Sequence, residues 1–135
     1  MPIDIRVDSS EGVRYSYVSG IVTDAEMIEA YERVVEDPAF DPALNVIADM
    51  TGVVRLEVTA AKVRELAERR GRNARLAAAK PRVVIVAPTD VMFGIARIYE
   101  SSGHAAVDSS RRYLVCRTME EARAWLSLPE QPTSG

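Results

Sequence analysis

The sequence predicts a single α/β domain built around a mostly parallel sheet. After an opening pair of strands, short apolar runs alternate with helical patterns in the order β-β-α-β-α-β-α-β-α. Strands that alternate with helices favour parallel pairing, because each helix carries the chain back across the sheet. The chain has 135 residues, 47% hydrophobic and 27% charged, which suits one domain with one core. We expect residues 1–128 to form this domain and residues 129–135 to be a flexible tail.

The first elements are a hairpin and a helix. Apolar side chains alternate with polar ones over residues 3–7 and again from residue 13 to residue 22, and the turn residues 8–12 separate the two runs. This pattern predicts two half-buried strands. Thr23 or Asp24 then caps a helix that carries one apolar stripe.

The middle of the chain predicts a buried strand and a long helix. The apolar run 44–48 ends at Asp49 and is typical of a strand covered on both faces. Thr59 begins a helical pattern that continues to about Ala79. Gly71 is expected to weaken or kink this helix, because glycine is a poor helix former.

Two shorter strand–helix units complete the domain. Residues 83–86 form a second buried run, and the helix after it leads into a loop of small and polar residues at 101–110. Residues 113–116 form the last strand, and Thr118 caps the final helix in a capping box with Glu121.

Composition excludes several classes of protein. The only cysteine, Cys116, precludes an internal disulfide, and with the only histidine, His104, it precludes the usual zinc clusters. No glycine-rich phosphate loop is present either, and we expect no metal and no cofactor. The net charge of −3 argues against a nucleic-acid partner. No targeting or membrane-spanning segment is visible, which with the lone cysteine predicts a cytoplasmic protein.

Three segments carry a resemblance to a known family. They are 20–24 at the start of the first helix, 49–53 after the third strand, and 119–126, which is similar to a characteristic terminal helix. In their order and spacing they resemble the SpoIIAA-like group of bacterial STAS (sulfate transporter and anti-sigma factor antagonist) and SEC14-type domains. The resemblance covers the chain from Ile3 to Leu126.

This resemblance implies a superhelical sheet whose parallel strands follow sequential order, and a homodimer. It also implies a non-catalytic role in regulatory protein–protein interaction with an unknown partner. SEC14-type relatives imply the alternative that the domain binds a small apolar or lipid-like ligand, in a pocket between the sheet and the helix that carries Phe93.

Thr59 is a candidate phosphoacceptor on the same resemblance. In phospho-regulated relatives a serine at the start of the second helix is phosphorylated by a partner kinase, and Thr59 keeps a hydroxyl at that position. The acidic residue before it is Glu57 rather than aspartate, and the glycine of the motif is lost. An ordinary N-cap is the favoured interpretation of Thr59.

A group of arginines on the second helix is a candidate anion-binding site: Arg69, Arg70, Arg72 and Arg75. Glu65 and Glu68 stand four residues before Arg69 and Arg72, in the orientation that favours ion pairs along a helix. A solvated, ion-paired face is therefore the favoured interpretation of this group.

A ligand or interface surface is a further candidate, formed by Asp49, Met92, Phe93, Arg97 and Tyr99. Phe93 lies off the main stripe of its helix, beside Gly94. Asp49 ends a central strand, where open α/β sheets place functional groups, although an Asx-turn is the alternative.

No catalytic residue is predicted. His104 shares its loop with Asp108 and several serines, but no nucleophile elbow follows any strand. Residues this close in a loop rarely build the geometry of a triad, so a solvated polar loop is favoured. Cys116 is expected to act as a small core hydrophobe.

Overall fold

A computed structural model of the chain describes residues 2–102 and 112–130. It contains a five-stranded sheet and five helices in the order β1, β2, α1, β3, α2, α3, β4, α4, β5, α5. The strands are β1 (Ile3–Asp8), β2 (Val13–Thr23), β3 (Asn45–Glu57), β4 (Val83–Val86) and β5 (Tyr113–Cys116). The helices are α1 (Asp24–Glu36), α2 (Ala60–Gly71), α3 (Ala74–Ala79), α4 (Asp90–Ser102) and α5 (Met119–Trp125).

The strands lie in the sheet in the same order as in the chain, β1-β2-β3-β4-β5. The first hairpin, β1 with β2, is antiparallel, and every other neighbouring pair is parallel. The predicted α/β class and the sequential strand order are therefore confirmed. Each parallel pair is joined through at least one helix, as crossover connections require.

β3 is much longer than the apolar run predicts. It pairs with β4 only from Val46 to Asp49, but it continues alongside β2 as far as the Thr23–Glu57 pair. Asp49 therefore lies inside the strand, at the end of its pairing with β4, and not at the end of the strand. Gly20, with φ of 68°, occupies one of the two register shifts in this extension, where a left-handed backbone suits glycine.

The long helix predicted from Thr59 to Ala79 is two helices. α2 ends at Gly71, and Asn73 caps α3 by accepting the backbone N–H groups of Arg75 and Leu76. The break falls where glycine weakens the helix and an asparagine offers a competing N-cap.

α4 extends into the segment predicted as a loop. Ser101 and Ser102 belong to this helix, and both hydroxyls donate to the carbonyl oxygen of Ile98. His104, Asp108 and the remaining serines of that segment lie outside the described residues.

The two faces of the sheet carry separate cores. One core lies beneath α1, α2 and α4 and contains Val46, Ile85, Met92 and Ala96 among its buried residues. The other core lies against α5. The alternation of side chains along each strand sends neighbouring residues to opposite faces, so Val84 and Ile85 of β4 enter different cores.

The described residues lack a membrane-spanning helix and a cluster of metal-ligating side chains. Over residues 2–102 and 112–130, no helix is both long enough and apolar enough to cross a membrane. Within the same ranges, no three His, Cys, Asp or Glu side chains come together as they would to hold a metal ion.

Candidate functional site

A cavity of about 210 Å³ lies between the sheet and helices α1, α2 and α4. Most of its lining is aliphatic, with side chains from the first four strands and the three helices. Five polar or partly polar side chains also line it: Arg14, Ser16, Tyr31, Arg70 and Tyr99. The cavity is therefore an apolar space with a small set of polar groups, which is the usual chemistry of a small-molecule site.

Strand alternation brings Arg14 into this cavity. On β2, Val13 and Tyr15 belong to the core beneath α5. Arg14 and Ser16, which alternate with them along the strand, point to the opposite face. That opposite face is covered by α1, α2 and α4, so a position that would be solvated on a one-sided sheet is buried here. Arg14 is only 5% exposed.

The Arg14 guanidinium has little compensation for its burial. Its Nη1 donates to the backbone oxygen of Asp41 at 3.5 Å, a long hydrogen bond, and its Cζ lies 5.3 Å from the centroid of the Phe40 ring. Burial and the neighbouring Arg70 guanidinium lower the pKa of Arg14 to about 10. Arg14 is thus still a cation at neutral pH, held in a place that disfavours its charge.

Arg70 enters the same cavity from the last turn of α2. The residue as a whole is half-buried, but its Nη2 atom is shielded from solvent and has no hydrogen-bond partner. Among the described residues, neither Arg70 nor Arg14 forms an ion pair with a carboxylate. A buried guanidinium N–H without a partner is uncommon, because its desolvation is not repaid.

Tyrosines surround the two arginines. Burial lowers the pKa of Arg70, but the interactions of its guanidinium with Tyr99, with Tyr113 (which is hydrogen-bonded to it) and with Tyr31 raise the pKa above its ordinary value. Tyr99 also interacts with Arg14. Burial raises the pKa of Tyr99 above its ordinary value, so its phenol is neutral at physiological pH. The polar end of the cavity therefore holds two guanidinium groups with tyrosine side chains around them.

A second, more polar cleft begins at Arg14. It has a volume of about 430 Å³ and is lined by β1 residues and by the segment that follows α1, including Asp37, Phe40 and Asp41. Arg14, Ile5 and Val34 line both spaces, so these three side chains lie between the apolar cavity and this cleft.

The four arginines of the candidate anion-binding site make four different sets of contacts. Arg69 pairs with Glu32 of α1 at 3.3 Å, while its predicted partner Glu65 pairs with Lys62. Arg72 is exposed and makes the predicted pair with Glu68 at 4.0 Å. Arg75 donates to the backbone oxygen of Phe40 and lies over its ring. Only Arg70 turns into the cavity.

The five residues of the predicted ligand or interface surface also have different surroundings. Of its five residues, only Tyr99 lines the cavity. Met92 is buried in the core and Phe93 packs against it, with the Arg117 guanidinium 4.3 Å from the Phe93 ring. Arg97 is exposed beside Glu100. Asp49 accepts the N–H and the hydroxyl of Thr51, which is the geometry of a local Asx-turn.

Thr59 caps α2. Its hydroxyl oxygen accepts the N–H of Lys62 at 3.2 Å and donates to Oδ2 of Asp24 at 3.1 Å. The other oxygen of Asp24 accepts the backbone N–H of Thr59 at 2.8 Å. The side chain is therefore engaged in joining the starts of α1 and α2, as the favoured N-cap interpretation expects.

Arg14 and Ser16 are the site residues that sequence reasoning missed. The alternating pattern assigns Val13 and Tyr15 to the core and leaves Arg14 and Ser16 for solvent. The available signal was the position of β2 in an α/β sheet, where helices can cover the face that the alternating pattern leaves for solvent. Arg14 lies on a covered part of this face, whereas Ser19, further along β2, is exposed.

Comparisons with known proteins identify the fold. No family model and no curated protein matches the chain. Among solved structures, the chain is similar to an uncharacterized protein of the DUF3478 family with a SpoIIAA-like fold, from Shewanella loihica PV-4. The identity is 16%, the match covers 92% of this chain and 91% of that one, and the TM-score is 0.54. The chain has a SpoIIAA-like, STAS-type fold.

Proposed function

We propose that this domain binds a small apolar or amphiphilic molecule in the cavity beneath α1, α2 and α4. The observation that carries the proposal is a cavity of about 210 Å³ with aliphatic walls and, at one end, two guanidinium groups that form no ion pair with a described carboxylate. Protein interiors are close-packed, and few voids exceed the size of a water molecule. A cavity that exceeds the ~150 Å³ of an engineered apolar site for benzene has room for a ligand.

The lining favours binding over catalysis. Polar groups that line the cavity come from two arginines, one serine and two tyrosines, and no described Asp, Glu or His side chain lines it. General acid–base catalysis needs a group whose pKa lies near the working pH, and arginine and buried tyrosine do not meet that need. This supports a non-catalytic role.

The size of the cavity favours a small ligand. Sites for drug-sized ligands occupy roughly 300–1,000 Å³, so about 210 Å³ suits a single short chain better than a lipid with two acyl chains. Each methylene group that moves from water into the aliphatic walls contributes about 0.8 kcal/mol.

Binding of 1-octanol to the purified chain tests the proposal. Calorimetric titration is expected to show saturable binding with one site per chain. Ala48→Leu places a larger side chain in the cavity from β3, and we expect it to weaken 1-octanol binding at least tenfold. The control is Ala61→Leu, the same substitution at an exposed position of α2.

Two outcomes would reject ligand binding in this cavity. The first is no binding of 1-octanol to the wild-type chain, together with no co-purified small molecule in native mass spectrometry. The second is binding that Ala48→Leu leaves unchanged, since the probe would then occupy another surface.

A regulatory protein interaction is the second candidate function, and exposed apolar side chains favour it. Val54 of β3 is 80% exposed and Ile21 of the neighbouring β2 is 48% exposed. An apolar group on the extended β2–β3 pair is suited to a partner or to a second copy of the chain. Sedimentation equilibrium of the wild type and Val54→Asp tests the homodimer: a dimer that Val54→Asp dissociates supports this surface, and a monomeric wild type rejects the homodimer.

A further inference from the structure

The two arginines of the cavity specify the chemistry of its ligand. We infer, on the basis of the proposed function, that the ligand is a carboxylate amphiphile: one acid group bound between Arg14 and Arg70, with a single apolar tail along the cavity. A short fatty acid has this chemistry.

The first argument is the missing counterion. Arg14 is 5% exposed and Nη2 of Arg70 is shielded from solvent without a partner. Buried charges in proteins are normally paired, because an isolated one loses its hydration without replacement. An anion placed between the two guanidinium groups supplies the missing partner to both.

The second argument is the contrast with the other basic residues of α2 and α3. Arg69, Arg72 and Lys62 each form an ion pair with a glutamate, Arg75 donates to a backbone oxygen, and Arg64 is exposed to solvent. Arg70 alone points into an apolar space instead of toward a carboxylate of the protein. Its neighbour in that space, Arg14, carries the same charge, so the pair repels unless an anion bridges it.

The third argument is the register of the sheet, which separates the polar and apolar ends of the cavity. Arg14 pairs with Val46, and Val46 pairs with Val83, so the guanidinium lies at the end of the sheet where β3 and β4 begin. The Val22–Leu56 pair lies eight residues further along β2 and also lines the cavity. An amphiphile with its head at Arg14 therefore extends its tail along the strands toward Val22 and Leu56.

Helix α2 repeats this polarity. Val63 and Leu66 line the cavity from its first two turns, and Arg70 lines it from the last. Because α2 runs back along the sheet after β3, its C-terminal end lies at the same level as Arg14. Two elements thus place an arginine at one end and aliphatic side chains at the other.

A carboxylate matches this head site better than a larger anion. The available donors are the free Nη2 of Arg70 and the weakly engaged Nη1 of Arg14. A carboxylate offers two oxygens and accepts hydrogen bonds from two guanidinium groups, and one negative charge suits a confined and otherwise apolar space.

The experiment compares four eight-carbon probes on the full chain by calorimetric titration: octanoate, 1-octanol, octylamine and octyl phosphate. We expect octanoate to bind at least tenfold more tightly than 1-octanol and octylamine to bind most weakly. Arg14→Met and Arg70→Met are expected to reduce octanoate binding to the level of 1-octanol while 1-octanol binding is kept. Arg72→Met, an exposed arginine of the same helix, is the matched control and is expected to retain the preference.

Each other outcome overturns a defined part of the inference. Equal binding of octanoate and 1-octanol by the wild type overturns the acid head group and leaves the proposed function standing. If octyl phosphate binds more tightly than octanoate, the inferred carboxylate head group is wrong and the ligand carries a phosphate. Binding of none of the probes overturns the proposed function and the inference together. These comparisons use the wild-type chain, so they hold even where a variant fails to fold.

Discussion

The Nη2 atom of Arg123, in the last helix, lies 2.5 Å from Oε2 of Glu11, in the turn of the first hairpin. Arg123 also donates to the hydroxyl of Tyr15 at 2.6 Å, and that hydroxyl donates to Glu11. Both charged side chains are largely buried, at 6% and 17% exposure. This pair joins two elements 112 residues apart and holds α5 against the face of the sheet opposite the cavity.

Replacing one partner of this pair is expected to destabilise the fold. Glu11→Gln leaves the Arg123 guanidinium buried without its counterion, and breaking a buried pair in this way costs about 3 kcal/mol. Urea unfolding followed by circular dichroism measures the loss. The control is Glu57→Gln, which removes an exposed pair with Arg55 and is expected to cost at most about 1 kcal/mol. Equal losses in the two variants would show that the Arg123 pair is no stronger than a surface contact.

The same pair predicts how stability depends on pH. The hydrogen bond from Arg123, and then that from Tyr15, hold the pKa of Glu11 below its ordinary value of 4.5. The contribution of Glu11 is therefore fully present above about pH 4.5 and is lost as the pH falls through the lower pKa of the folded state. We expect the difference in unfolding free energy between wild type and Glu11→Gln to shrink between pH 5 and pH 3. A difference that stays constant over this range would contradict the assignment.

The local signals of the sequence predict the elements, and tertiary pairing decides their extent. Thr23 and Thr118 cap α1 and α5 as their sequence neighbours predict, because an N-cap depends on residues a few positions away. The length of β3 depends instead on β2, which continues to pair with β3 after the pairing of β3 with β4 has ended. No periodicity within residues 49–57 contains that information.

The cavity is less accessible to prediction for the same reason. Whether Arg14 is solvated or buried depends on helices that cross the sheet later in the chain, and whether Arg70 points inward depends on the rotation of α2 about its axis. Arg69, one position earlier, pairs with Glu32 of α1 instead. Sequence reasoning includes Arg70 in an anion-binding group, but it places the group on a solvated surface.

Thr59 is expected to stabilise the start of α2 through its hydroxyl. Thr59→Ala removes the acceptor of the Lys62 N–H and is expected to cost about 1 kcal/mol, and Thr59→Ser is expected to restore most of it. Thermal unfolding of the three proteins measures these changes. A phosphate on this oxygen would meet the Asp24 carboxylate, which accepts the Thr59 hydroxyl at 3.1 Å. If Thr59→Ala is as stable as the wild type, the N-cap interpretation is wrong, and the phosphoacceptor interpretation again has to be considered.

Cys116 is expected to be chemically inert in the folded chain. Its side chain is buried in the core beneath α5, and its thiol donates to the backbone oxygen of Thr118 at 3.4 Å. Burial raises the pKa of the thiol to about 11, and the thiolate is the form that reacts. At pH 8 we therefore expect iodoacetamide to modify the folded protein about a hundredfold more slowly than the urea-unfolded protein.

The control for this measurement is a chain with its only thiol moved to the surface. Cys116→Ala combined with Ala61→Cys places the thiol at an exposed position of α2, and its labelling is expected to be equally fast in the folded and unfolded states. Fast labelling of Cys116 in the folded wild type would mean that β5 and α5 open readily at this pH. Since α5 is held by the Arg123–Glu11 pair, Glu11→Gln is expected to increase the labelling rate of Cys116 while leaving the surface cysteine unaffected.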